Sequence, residues 1–316
     1  MLEFIEYLNF QGINNDSFNV SGIDVIGDFI LLVTDEKNKI PVLKKDGNDN
    51  QYQLRVNISL PNLEDNNDQN EEPEEIDLED IAHENNTCYL VGSHALARKK
   101  VKPGKKYKKN LKRLEKIKAE AARNQIIKLT LDIDENGNIQ TEVESKTLQD
   151  VLKKDKILNV FTNIPSKENG VDIEAIAVDG EQLYIGFRGP VLRSNYVPVM
   201  VATFDDLSNY KLRYVNMDGR GIRGMTKVNG GFLLIGGPVG DGEQSYQLYF
   251  WDGLDTIPGK DKEQESKLKM LGEIPTPKDA KAEGIMLRKE SDYDYNIVIV
   301  YDGVPQGKPT VFQVYK

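Results

Sequence analysis

Five polar residues recur at one position in the sequence and could together bind a cation or a charged ligand. Each comes just ahead of a short apolar run: Ser21, Glu79, Glu174, Arg223 and Glu283. Hard cations such as calcium prefer carboxylate and hydroxyl oxygens, so Glu79, Glu174 and Glu283 are candidate metal ligands. Carboxylates held together repel one another, and Arg223 could instead pair with two of them. A calcium site, a set of ion pairs and direct contact with a ligand therefore all stay open.

A repeated β-hairpin is expected to position these residues. The clearest copy is residues 171–193, where the apolar runs 174–178 and 183–187 flank an Asp179-Gly180 turn. Two short apolar runs around Asp-Gly are a strong hairpin signal. The five copies lie 58, 95, 49 and 60 residues apart, and further short strands follow each of them. Four short strands with a period of about 50 residues are typical of a β-propeller blade.

We therefore predict an all-β fold, a five-bladed β-propeller, in which residues 1–316 form a single domain. The last copy has only three strands of its own. Residues 3–8 are expected to supply its fourth strand, which closes the ring and removes both exposed edges. A sixth blade within the longest interval stays open, as does an open β-sandwich with coincidental hairpins.

One mouth of the propeller channel is the predicted functional site. The first strand of each blade lines the channel, so the five recurrent residues should form a ring at that mouth. The second strands end there too, which adds His94, Arg188 and Asp302, and Arg193 and Arg220 follow in adjacent loops. Guanidinium groups make paired hydrogen bonds to phosphates and carboxylates. We therefore expect the mouth to bind a small anionic ligand or a protein partner.

Composition limits the classes of partner. The chain has a net charge of -10 and a pI of about 5.0, which disfavours a general nucleic-acid binder. The single cysteine, Cys88, excludes an internal disulfide framework and fits a reducing compartment. The first residues do not form a signal peptide, and no run approaches the length of a membrane span. We expect a cytoplasmic protein with no membrane partner.

Two charged segments interrupt the repeat. Residues 98–118 hold twelve Lys or Arg against the single Glu115, and we predict a basic insertion at 98–124 that is helical from residue 108. Residues 62–75 are acidic and Asn-rich and are expected to form an exposed loop. The insertion is the one place where nucleic acid could bind. The alternative is a solvated helix whose charge the acidic loop balances.

Several short blocks resemble an uncharacterised bacterial family of domains of unknown function. They are Arg-Gly-Pro-Val-Leu-Arg at 188–193, Gly-Ile-Arg at 221–223, Gly-Ser-His at 92–94 and Glu-Gly at 283–284. The resemblance implies a propeller-like fold and supplies no activity. The ring also resembles the layout of calcium-activated nucleotidases, which are five-bladed with serine and glutamate around an axial calcium. Arg223 departs from that layout, because it occupies a ring position at which the layout requires an oxygen ligand for the metal.

Two functions follow from these observations. In the first, the chain is a propeller that binds an anionic small molecule or a protein partner at the mouth of its channel. In the second, it is a calcium-dependent hydrolase of phosphate esters or related compounds, in which the glutamates or the metal activate water. Whether the protein is an enzyme stays open, because the sequence shows no obvious pair of nucleophile and base.

Overall fold

The computed structural model describes residues 2–13, 19–34, 38–47, 50–60, 76–133 and 139–316. The acidic loop predicted at 62–75 lies outside these residues. Within them, antiparallel sheets follow one another along the chain, and the innermost strand of each sheet contacts the innermost strands of the sheets on either side. The last of these strands contacts the first, so the sheets close into a five-bladed β-propeller, as predicted.

Each blade contains four antiparallel strands, ordered from the channel outwards. Blade one has Val20–Ile26, Phe29–Thr34, Lys39–Lys45 and Gln51–Ser59. Blade two has Leu78–Glu84, Thr87–Gly92, Ile126–Ile133 and Ile139–Lys146. Blade three has Asp172–Asp179, Gln182–Gly189, Tyr196–Thr203 and Lys211–Asn216. Blade four has Gly221–Val228, Gly231–Gly237, Gln247–Trp251 and Leu268–Glu273. Blade five has Lys281–Glu290, Asp294–Asp302, Thr310–Tyr315 and Leu2–Tyr7.

The N-terminal segment joins blade five to blade one. Leu2–Tyr7 pairs antiparallel with Thr310–Tyr315, which confirms the predicted closing strand. The next residues, Asn9–Gln11, run parallel to Gln51–Ser59 and add a fifth strand to blade one. This second pairing was not predicted. Because one short segment bonds to two adjacent blades, it ties the first blade of the ring to the last.

The interval between the inner strands of blades two and three contains the basic insertion and short helices rather than a sixth blade. Helix α1 covers Tyr107–Glu115 and helix α2 covers Gln149–Lys154. The helix predicted at 108–124 is therefore wrong beyond Glu115. The chain leaves the helix because Ile117–Lys118 pairs antiparallel with Ala97–Arg98 in a two-stranded ribbon.

Single helical turns complete the described secondary structure. They are Ala121–Arg123, Leu158–Phe161, Ser166–Glu168, Arg193–Asn195 and Pro305–Gly307. No helix among the described residues has both the length and the apolar character needed to cross a membrane.

The inner strands approach one another closely at the channel axis, and glycine makes this possible. A Cβ atom on Gly22 would lie 2.8 Å from the Cα of Asp80, and one on Gly224 would lie 2.2 Å from the carbonyl oxygen of Glu283. Between blades, buried aliphatic and aromatic side chains form the core. Tyr184 and Phe232, for example, pack at 4.3 Å between ring centroids across blades three and four. The close approach leaves room for a ligand only at the mouths of the channel.

Candidate functional site at the channel mouth

The five recurrent residues lie on the inner strands, and each coincides with a β-bulge. The pairing register between the first and second strands of every blade shifts across this position: Ser21, Glu79, Glu174, Arg223 and Glu283. They are the second or third residue of their strands, whereas the sequence placed them ahead of the strands. A bulge leaves one residue out of the ladder and re-aims its side chain. The repeat therefore specifies five irregular positions around one mouth.

Two buried arginines link three carboxylates of this mouth into one chain of ion pairs. Arg188 pairs with Asp172 and, at 2.5 Å, with Glu174. Arg223 pairs with the other oxygen of Glu174 at 2.7 Å and with Glu283. Both guanidinium groups are almost completely buried and each contacts two acids, so their charge is offset within the mouth.

Three acids of the mouth lie close together, and one of them, Glu79, has no ion-pair partner among the described residues. One oxygen from each of Glu79, Asp172 and Glu174 lies within 4.8 Å of the others. Among the described residues, no lysine or arginine forms an ion pair with Glu79, which keeps part of its surface open to the mouth. The acids of the mouth therefore outnumber the arginines that pair with them.

The protonation of these acids reflects this crowding. Burial, with the nearby charges of Asp77 and Glu174, raises the pKa of Glu79 well above its ordinary value. Burial raises the pKa of Asp172 to about 7, although Arg188 opposes the shift. Burial likewise raises the pKa of Glu283 to about 7 against the effect of Arg223. The mouth thus holds carboxyl groups that change charge near neutral pH.

Asp172 and Asp77 are site residues that sequence reasoning missed. Asp77 accepts a hydrogen bond from the Ser93 hydroxyl at 2.5 Å and pairs with Arg123 at 2.9 Å. Each aspartate precedes a ring glutamate by two residues, in Asp77-Leu78-Glu79 and Asp172-Ile173-Glu174. This repeated Asp-x-Glu spacing was the available signal, although Asp77 precedes its strand and the pairing register shifts between Asp172 and Glu174.

The remaining predicted residues lie in different surroundings. Ser21 is buried, and its hydroxyl donates to the Leu78 carbonyl at 2.6 Å, a bond that joins blades one and two. Asp302 pairs with Lys281, whose ammonium also lies 4.0 Å from Glu283. Arg220 donates to the Ser245 carbonyl at 3.1 Å, and Arg193 is exposed in a loop. Within the described chain, neither of these arginines forms an ion pair with a ring acid.

His94 has no free ring nitrogen for acid–base chemistry. Its Nδ1–H donates to the Gly92 carbonyl at 2.9 Å, and its Nε2 accepts from the Leu148 backbone N–H at 3.2 Å. Burial lowers the pKa of His94 to about 4, so the ring is neutral at physiological pH. His94 is therefore a buried side chain whose hydrogen bonds join blade two to the segment before helix α2.

A groove of about 1180 Å³ between blades four and five leads toward the ring. Tyr246 lines this groove and lies beside Arg223, because both side chains pack against Gly237. A Cβ atom on that glycine would lie 2.6 Å from the tyrosine ring and 2.9 Å from the arginine side chain. Among the residues that the structure describes, those lining the groove include Glu243 and Glu273 and no lysine or arginine. An acidic groove beside an acidic mouth concentrates cations rather than anions.

Comparison with solved structures finds propeller-like proteins with low similarity to this chain. A mannose phosphorylase from Leishmania mexicana, in complex with phosphate ion, is 10% identical, with a TM-score of 0.44 over 99% of this chain and 88% of that chain. A putative oxidoreductase (glucose dehydrogenase) from Thermus thermophilus is 9% identical, with a TM-score of 0.41 over 99% and 100% of the two chains. A protein from Lactobacillus plantarum is 12% identical, with a TM-score of 0.37 over 94% and 71%.

Comparison with curated proteins finds no match. One family model does match, over residues 19–310, and it describes a protein of unknown function, DUF3616. These residues include every ring residue and all the strands of the five blades except Leu2–Tyr7, Asn9–Gln11 and most of Thr310–Tyr315. The chain belongs to this DUF3616 family of proteins of unknown function.

Proposed function

We propose that the channel mouth binds a divalent metal ion, with calcium as the first candidate, and that the protein binds oxygen-bearing ligands through this ion. The observation that carries the proposal is the cluster of carboxylate oxygens from Glu79, Asp172 and Glu174 within 4.8 Å of one another. Hard cations take such oxygens as ligands. Asp172 replaces Glu283 in the set expected from sequence, because it is the oxygen of Asp172 that lies within 4.8 Å of those of Glu79 and Glu174.

The charge of the mouth supports a cation rather than a free anion as the first ligand. Arg188 and Arg223 are occupied by acids, and Glu79 has no cation among the described residues. A free phosphate or carboxylate would meet a cluster of carboxyl groups there, and every ionised member of the cluster would repel it. A bound calcium would reverse that charge and leave coordination positions for the oxygens of an anionic ligand, since calcium takes six to eight ligands.

Calorimetric titration of calcium into the protein tests this proposal. The wild type should bind calcium, and Glu79→Gln should weaken binding by more than about 100-fold, because loss of an outer-shell partner alone can cost that much. Glu181→Gln is the matched control, since Glu181 is an exposed carboxylate in the hairpin turn of blade three. Equal binding by wild type and Glu79→Gln would refute the assignment, as would no binding by the wild type.

Thermal shift measurements test the second half of the proposal. Phosphate esters, nucleotides and carboxylates should raise the melting temperature in the presence of calcium and not in the presence of a chelator. A ligand at 100 times its Kd stabilises by about 2.7 kcal/mol, which corresponds to several degrees for a domain of this size. A ligand-induced shift that persists in chelator would instead support the directly binding arginine site.

Metal-dependent hydrolysis is a second candidate function. It is favoured by Glu283, which is not one of the three proposed ligands and whose pKa near 7 suits proton transfer at neutral pH. Glu79, Asp172 and Glu174 would hold the ion, which would supply an activated water, and Glu283 would take up a proton from that water. Turnover of phosphate esters that requires calcium and is lost in Asp172→Asn would support this function. Ligand binding without turnover would leave the protein a binding module.

A further inference from the structure

The basic insertion carries a short helix that the propeller does not bury. Helix α1 covers Tyr107–Glu115, and none of its residues is buried. A two-stranded ribbon of Ala97–Arg98 and Ile117–Lys118 flanks the helix, and Arg98 pairs with Glu168 in the segment before blade three. The insertion is therefore tied to the segment before blade three, although the helix contributes nothing to the core.

One side of this helix is apolar and exposed. Tyr107, Leu111 and Leu114 are spaced as i, i+4 and i+7, so they lie on the same side of the helix, which we call the apolar face. Their side chains are 76%, 41% and 45% exposed. A helix that is only solvated gains no stability from an exposed apolar face. Three neighbouring large apolar side chains in water therefore indicate a surface that a partner covers.

The other sides of the helix are strongly basic. Lys108, Lys109 and Lys112 are exposed and form no ion pair with any residue that the structure describes. Repulsion by Lys116, together with the other cations of the insertion, lowers the pKa of Lys99. The insertion thus concentrates positive charge on a chain whose net charge is -10.

We propose that the basic insertion docks the protein on an anionic lipid surface. The apolar face enters the headgroup region of the bilayer, and the flanking lysines lie close to the lipid phosphates. Helices that combine an apolar face with a lysine-rich polar face bind membranes in this way. Positive charges near an anionic leaflet add to the affinity. This docking rests on residues outside the channel mouth and is independent of the metal proposal.

A nucleic-acid backbone explains only part of the surface. Phosphate contacts require the lysines, but a phosphate backbone gains nothing from two exposed leucines. A lipid surface accounts for both the charge and the apolar face. The expectation of no membrane partner considered only segments long enough to span a bilayer, and helix α1 has nine residues and would lie on the surface.

Vesicle co-sedimentation of the full chain tests the proposal, with vesicles of phosphatidylcholine alone or of phosphatidylcholine mixed with phosphatidylglycerol. The wild type should bind only the mixed vesicles, and added salt should weaken this binding. Leu111→Ser with Leu114→Ser should weaken binding by about tenfold or more. Lys108→Gln with Lys112→Gln should weaken it by roughly 25-fold, because each lysine near the surface contributes about fivefold.

The control pair is Lys211→Gln with Lys269→Gln, which removes two exposed lysines from the outer strands of blades three and four. This variant should bind mixed vesicles like the wild type, and all variants should keep the wild-type melting temperature because helix α1 is not part of the core. Absence of wild-type binding would overturn the proposal, as would unchanged binding by the leucine variant. The surface would instead be assigned to nucleic acid if the wild type bound duplex DNA but not vesicles. In that case the lysine variant should lose DNA binding and the leucine variant should keep it.

Discussion

A double-mutant cycle on Glu174 and Arg223 measures how strongly the ring is coupled. The first variant, Glu174→Gln, removes the charge that both Arg188 and Arg223 contact, although each arginine keeps one other acid. The second variant, Arg223→Met, removes the charge and leaves Glu174 with Arg188 alone and Glu283 without its buried partner. The third variant combines both changes.

The expected magnitudes follow from the burial and contacts of the pair. Arg223 is 2% exposed and joins two acids, so Arg223→Met should lower the free energy of unfolding by about 3–5 kcal/mol, the cost of breaking a buried pair. Glu174→Gln should cost less, about 2 kcal/mol, because it leaves a neutral polar group and both arginines retain a partner. The double variant should be destabilised by about 1–3 kcal/mol less than the sum of the two single variants, because either single change already removes the contact between Glu174 and Arg223.

Urea denaturation of the four proteins at pH 7.5, in the absence of metal, gives the coupling free energy. The exposed pair Asp179 and Lys227, 2.5 Å apart, supplies the control cycle, with Asp179→Asn and Lys227→Met. Its coupling should be below about 1 kcal/mol, since both side chains are solvated. Additive effects in the Glu174–Arg223 cycle, or a coupling no larger than in the control, would refute the claim that buried ion pairs hold the ring together.

Three further predictions follow from the fold and the pKa shifts. Deleting residues 1–8 removes the fourth strand of blade five, so the melting temperature should fall and the protein should associate through the freed edge; an unchanged, monodisperse protein would contradict the closing role. Asp172 and Glu283 have a pKa of about 7 in the folded protein and about 4 in the unfolded chain, so the folded protein binds more protons between these pH values and its free energy of unfolding should fall as the pH rises from about 4 to 7. Urea titrations at a series of pH values measure this change, and a rise of the free energy of unfolding over this range that is absent in Asp172→Asn would contradict the prediction. His94→Ala should destabilise by about 1–3 kcal/mol and leave calcium affinity unchanged, and a loss of calcium binding without loss of stability would place the histidine in the site.

The sequence predicted those parts of the fold that arise from local, repeated signals. Alternation of apolar runs with Asp-Gly and Asn-Gly turns is a short-range pattern, so the hairpin of Asp172–Asp179 and Gln182–Gly189 could be recognised directly. The closing strand Leu2–Tyr7 was predicted by counting strands, because the last repeat lacked one. The pairing of Asn9–Gln11 with blade one has no local sequence signal, because it depends on the path of the chain between blades five and one in the folded protein.

The candidate site was predicted less completely, because its properties depend on contacts between blades. The ring positions were identified, but the bulges that re-aim them were not, since a bulge appears only in the register of two paired strands. The partners of Arg188 could not be predicted from its place at a strand end, so an arginine expected to hold a ligand is bound to Asp172 and Glu174. The net charge of the mouth, and with it the preference for a cation, follows only once these pairs are known.

The most direct test of the metal proposal is a crystal structure of the protein grown with manganese, which shares the preference of calcium for oxygen ligands and is located by its anomalous scattering. The proposal predicts one anomalous peak at the channel mouth, coordinated by Glu79, Asp172 and Glu174, and the disappearance of that peak in Glu79→Gln. A mouth with no anomalous peak, in which a protonated Glu79 donates a hydrogen bond to a neighbouring carboxylate, would contradict it.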